Sequence, residues 1–192
     1  ASPEASHRLA RDLVMKAVSL DASNALTQTV LGSVLLWAKE HDQAIAAATR
    51  SVELEPNYAY GHAMLGHILD YVGRSAESLE FLDKAMRLDP HYPDIYLHFA
   101  GLAYFALGRY DEAVSVLQQR IKRNPGTDIS RVLLAACYGH MGKAEAARDE
   151  WSQALKLNPA FSLERRKRIL PYKNLEDYER IPEGLRKAGL ID

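Results

Sequence analysis

Apolar residues recur at three- and four-residue spacing along most of the chain, in short runs separated by polar turns. That spacing predicts amphipathic α-helices rather than strands. The runs themselves repeat. Leu54-Glu55-Pro56, Leu88-Asp89-Pro90, Arg123-Asn124-Pro125 and Leu157-Asn158-Pro159 close four similar segments, with prolines 34, 35 and 34 residues apart. A small residue stands 24 positions before each proline: Gly32, Gly66, Gly101 and Ala135. A large one follows three positions later: Leu35, Leu69, Tyr104 and Tyr138. Turn signals come next, Gly73-Arg74, Gly108-Arg109 and Gly142-Lys143. In each second half, Ala44, Ser78, Ala113 and Ala147 precede Ala48, Leu82, Leu117 and Trp151 by four residues. The units therefore read as helix pairs that cross closely at Gly or Ala notches. Proline ends each second helix by pushing the residue before it out of α geometry. One pair cannot bury its apolar face alone, so the pairs must stack.

With its Leu31-Gly32 and Leu65-Gly66 pairs, second-helix alanines and terminal prolines, the sequence resembles the tetratricopeptide repeat (TPR) family over roughly residues 5–160. The resemblance implies an all-α, right-handed α-solenoid of antiparallel helix pairs with a helical C-terminal cap. The expected boundaries are 1–24 for the second helix of a truncated repeat, then 25–58, 59–93, 94–127 and 128–161, and 162–192 for the cap. Three departures stand out. The first turn, Lys39-Glu40-His41-Asp42, has no glycine. An extra residue falls near His91-Tyr92-Pro93. Arg120 replaces a small residue, which predicts looser packing there.

Ala10, Val14 and Ala17 lie in the register of a second helix whose first helix is missing. The expectation is a fragment cut from a longer protein; a natural capping helix is the alternative. Beyond Pro159 the period changes. Ser162 is placed to cap a helix over 163–169 that Pro171 stops. Asn174 is placed to cap a second over 175–188, with a stripe of Leu175, Tyr178, Ile181 and Leu185, a bend or break at Pro182 and an end at Gly189. The runs Phe161-Ser162-Leu163-Glu164, Leu170-Pro171-Tyr172-Lys173 and 184–190 are similar to the tail of bacterial TPR arrays that follow class III adenylate/guanylate cyclase or winged-helix domains. That resemblance implies the regulatory end of a multidomain signalling protein.

Composition narrows the chemistry. The chain has 192 residues, 24 Lys and Arg against 25 Asp and Glu, so it lacks the basic excess of a general polyanion binder. Val, Ile and Thr total only 21 (9, 8 and 4), which is helix rather than sheet composition. No apolar run reaches the roughly 20 residues that span a bilayer, and the start lacks a signal-peptide core. A single cysteine, Cys137, excludes an internal disulfide and multi-cysteine metal motifs and fits a cytoplasmic setting. It shares its register with Val34, Ile68 and Ala103, a packing position, and no oxyanion device accompanies His140 beside it. The seven histidines hold no zincin pair, and no glycine loop suits a phosphate. Arg165-Arg166-Lys167-Arg168 reads as the solvated face of a short helix. The expectation is no enzyme, no catalytic residue, no metal and no cofactor.

The family resemblance places the first helix of each unit on an inner face that binds peptides. Repeat register then assigns a peptide-binding lining of Trp37, Tyr60, Met64, His67, Tyr71, His98, Phe99, Leu102, Phe105, Ile129, Leu133, Ala136 and His140. It carries no Lys or Arg, which argues against a clamp for a chaperone's terminal carboxylate and against phosphate. Such an apolar trough suits an amphipathic helix or an extended peptide and rarely stays bare. The candidate occupants are a protein or peptide partner, a second copy, or the chain's own C-terminal helix. The leading reading is thus a non-catalytic interaction module with no nucleic-acid or membrane partner. The alternative is the regulatory part of a class III cyclase; an RNA-binding helical repeat ranks below both, because the lining lacks basic stripes.

Overall fold

The computed structural model describes residues 3–192, with side chains from residue 5 onward. The first two residues of the 1–24 segment lie outside it. The described residues form eleven α-helices and no strand. By contacts the chain divides into two units, Ala1–Tyr92 with Leu170–Lys173, and Pro93–Ile169 with Asn174–Asp192.

The first unit contains α1 (Pro3–Leu20), α2 (Ala25–Trp37), α3 (His41–Leu54), α4 (Ala59–Tyr71) and α5 (Ser75–Leu88). The notches work as their spacing predicts. A Cβ on Gly32 would stand 3.1 Å from the Ala44 carbonyl oxygen, and one on Gly66 would stand 2.9 Å from that of Ser78. Only a residue without a side chain lets these helix pairs approach so closely. Asn24 caps α2 by accepting from the Thr27 amide. The turn after α4 uses Gly73 at φ 83°, whereas the glycine-free turn after α2 forces Lys39 to φ 61°. A left-handed turn is therefore required at both places, and one is filled by a residue that resists it.

The second unit contains α6 (Ile95–Ala106), α7 (Tyr110–Arg123), α8 (Asp128–His140), α9 (Ala144–Leu157), α10 (Leu163–Ile169) and α11 (Leu175–Lys187). Gly101 meets Leu117 as Gly66 meets Leu82. The residue before each repeat-ending proline has left the helix in nearly the same way in both units. Glu55, Asp89, Asn124 and Asn158 have φ between −125° and −138° and ψ between 84° and 96°.

Three details differ from expectation. Arg120 does not loosen the packing: it is 5% exposed, pairs with Asp94 at 3.1 Å and donates to Ser130 Oγ at 2.5 Å. The small-residue position is filled by a guanidinium because polar partners on α8 and just ahead of α6 receive it. Pro182 does not divide the last helix, which runs unbroken from Leu175 to Lys187; the cost is one lost amide donor within it. Asn174 stands at the N-cap of α11, but its side chain makes no capping bond. Ser162 does cap α10, its Oγ accepting from the Arg165 amide at 3.2 Å, and Gly189 ends α11 at φ 67°.

Candidate functional site

In the first unit, the residues assigned to the lining converge at the C-terminal end of α4. His67 and Tyr71 are both buried and meet edge to face at 4.9 Å. The Trp37 ring lies 6.4 Å from that of Tyr71. Met64 is buried. Tyr60, one turn earlier, is 37% exposed, and Leu26 and Val30 on α2 are 52% and 38% exposed. A cleft of about 630 Å³ opens between α1 and α2, lined by Arg8, Arg11, Ser33, Val34 and Trp37 among others.

The end of α4 is covered by Leu170, Pro171, Tyr172 and Lys173, a non-helical strap of the same unit. Pro171 and Tyr172 are buried. Tyr172 sets its ring edge-on to Tyr71 at 4.8 Å. The Lys173 amide donates to the Tyr71 carbonyl oxygen at 2.9 Å, one of the acceptors that a helix leaves open at its C-terminus. His41, protonated on Nε2, donates to the Pro171 carbonyl at 2.9 Å.

In the second unit, α11 lies against α8. Gly139 and Gly184 meet at the crossing. Tyr178, Ile181 and Leu185 of the expected stripe are buried, while Leu175 is 49% exposed. His140 stacks flat on Tyr110, centroids 4.8 Å apart and planes at 4°. Its Nε2 donates to the Arg180 carbonyl at 2.8 Å, and its Nδ1 lies 3.3 Å from Lys187 Nζ. Arg180 turns back to donate to the Ala106 carbonyl and to the Tyr110 hydroxyl at 3.0 Å. Its guanidinium stands 5.8 Å from the centre of the Phe105 ring. Phe105 in turn meets His140 edge to face at 5.6 Å.

The other assigned residues scatter over two environments. Phe99, Leu102, Leu133 and Ala136 are buried, and Ile129 is half-buried. His98 is buried. Its Nδ1 lies 3.0 Å from Ser130 Oγ, which also accepts from Arg120. Sequence register missed His41, Tyr110 and Arg180. His41 and Tyr110 open second helices, which sit beside the last turn of a first helix; their place next to the turn was the available signal.

Burial pushes the His67 imidazole down to about 3 and raises the Cys137 thiol, so each is held uncharged. Cys137 is fully buried. Tyr178 is pushed up to about 12, mainly by burial, and donates its hydroxyl to the Leu163 carbonyl at 2.7 Å. Among the described residues no three His, Cys, Asp or Glu side chains come together as a metal site. No helix among them is long and apolar enough to cross a membrane.

Residues 72–132 match the family model described as Tetratricopeptide repeat. The comparisons support a TPR repeat protein. The chain is similar to the crystal structure of PilW, described as a widely conserved type IV pilus biogenesis factor, with a TM-score of 0.75, 20% identity, and coverage of 94% of this chain and 84% of that one. It is similar to YrrB, described as a TPR protein with an unusual peptide-binding site, with a TM-score of 0.62, 19% identity, and coverage of 91% and 90%. Anaphase-promoting complex subunit 3 of Schizosaccharomyces pombe is 24% identical over 151 residues, which is 79% of this chain and 23% of that subunit. The chain thus spans about a quarter of that relative's length. The fold is that of the TPR solenoids, which supports an interaction scaffold of the TPR type.

Proposed function

We propose that this chain is a non-catalytic protein-interaction module whose first-helix faces hold a peptide, a helix or a neighbouring domain. One observation carries the reading: in each unit a first helix already holds polypeptide. The strap lies on the end of α4, and α11 lies on α8. These faces therefore have the chemistry to bind a chain segment, combining apolar burial with fixed backbone acceptors and donors. The peptide-binding site named for YrrB points the same way.

The open positions on α2 and α4, Val30 and Tyr60, are where an outside partner reaches the first unit. A cytoplasmic regulatory role within a larger bacterial signalling protein completes the proposal, supported by the sequence of the tail 161–190. A photo-crosslinking residue at position 30 or 60 tests it. The expected result is a discrete partner adduct at these positions and none at Glu77 or Glu80 on α5. Equal capture at all four positions, or none, overturns the assignment of the first-helix face.

A further inference from the structure

The strap shows what kind of sequence the first unit selects. Four features define the recognition, and all are local. The Tyr71 carbonyl, left open by the end of α4, takes the amide of Lys173 at 2.9 Å. His41 donates to the Pro171 carbonyl at 2.9 Å. The ring of Tyr172 fills the edge of Tyr71. Lys173 Nζ lies 3.4 Å from Asp42 Oδ1, in the first turn of α3.

The residue types fit these demands. Proline brings no amide that would need a partner, and its fixed φ lowers the entropy cost of docking. Tyrosine supplies a rigid ring. The exposed ion pair adds little affinity in water but rejects an acidic residue. None of these contacts depends on the strap being joined to α10 and α11.

Resting on the peptide-binding reading above, we infer that the site formed by Tyr71, His41 and Asp42 is a docking site for a partner segment of the form apolar–Pro–aromatic–basic, with the chain's own Leu-Pro-Tyr-Lys as the resident competitor. A tethered competitor acts at an effective concentration of about millimolar. A free peptide therefore binds weakly until the strap is loosened or a partner supplies additional contacts.

The test uses the full chain with Tyr172→Ala and Lys173→Ala, which weakens the strap and leaves the site intact. The probe is a fluorescein-labelled peptide, Arg-Ile-Leu-Pro-Tyr-Lys-Asn-Leu. The expected result is saturable binding at ~10–100 μM to the loosened variant and at least roughly tenfold weaker binding to the unaltered chain. Adding His41→Ala should reduce it several-fold, and Asp42→Ala should reduce it in a salt-dependent way. If the double variant loses helicity by circular dichroism, the unaltered chain provides the readout. Millimolar peptide, but not a scrambled one, should then speed tryptic cleavage after Lys173.

Equal binding of the scrambled peptide overturns the inference, as does the absence of binding to a folded variant. So does a loosened variant that dimerises and ignores the peptide, since the strap would then be exchanged only between copies. Crosslinking of a partner at Val30 or Tyr60 without binding of this peptide removes the motif and leaves the interaction module standing.

Discussion

Gly139 of α8 and Gly184 of α11 face each other with no room for a side chain on either. A Cβ on Gly139 would come within 2.7 Å of the Gly184 carbonyl carbon, and one on Gly184 would come within 2.7 Å of His140 Cδ2. The last helix is therefore seated on the array through paired notches, the same device that joins helices within a repeat.

Gly139→Ala is expected to lift α11 from α8 and to cost about 1–3 kcal/mol. Chymotrypsin cleavage after Tyr178, which is 2% exposed in the docked helix, should speed up. Gly142→Ala is the contrast. That glycine has nothing within 4 Å of its added Cβ and only a positive φ of 72° to defend, so it should cost about 1 kcal/mol and leave Tyr178 protected.

Arg120→Ala should destabilise the second unit by about 2 kcal/mol, because it strips a part-buried carboxylate of its cation. The effect should depend on pH. Burial works to raise the Asp94 pKa, but hydrogen bonds from Arg120 and Asn124 and the nearby positive charge outweigh it, and the net shift is downward. A depressed carboxylate stabilises the fold above its unfolded pKa of about 4 and loses that contribution as pH falls through the folded value. Urea midpoints of the unaltered chain and of Asp94→Asn should therefore differ at pH 7 and draw together as the pH falls below about 4.

His67 gives a second pH dependence with its own window. Its folded pKa of about 3 lies below the ordinary 6.5, so below pH 6.5 the unfolded chain takes up a proton that the folded chain refuses. Stability should fall on acidification by up to about 1.4 kcal/mol per pH unit. His67→Phe should remove about 2 kcal/mol of the loss between pH 7 and 5, as read by chemical denaturation at the two values.

Lys39→Gly should stabilise the first unit by about 1 kcal/mol, since φ 61° suits glycine and strains lysine. A higher urea midpoint with an unchanged slope would show it.

How far the sequence could be read depended on whether an interaction was local. The Gly32, Gly66 and Gly101 notches, the turn glycines and the proline stops are set by neighbours at fixed spacing, and the 34-residue period displays them. The burial of Cys137 followed from the apolar residues sharing its register. Arg120 was misread because Asp94 and Ser130 lie on other segments, 26 and 10 residues away. Period identifies which face of a helix looks inward but not what covers it. Met64, Tyr71, Phe105 and Leu133 were assigned to the lining by register alone; all four are buried, and what covers each is set by segments far away in the chain. Pro171 was read as a helix stop, and nothing in its spacing shows that the carbonyl beside it would meet His41, 130 residues away.

Cys137 has a practical consequence. As the chain's sole thiol, it is sealed inside α8 with no exposed surface. A cysteine engineered at a surface position such as Val30 would thus be the one addressable handle on the native protein. Dyes, spin labels or tethers could be attached there without first deleting anything.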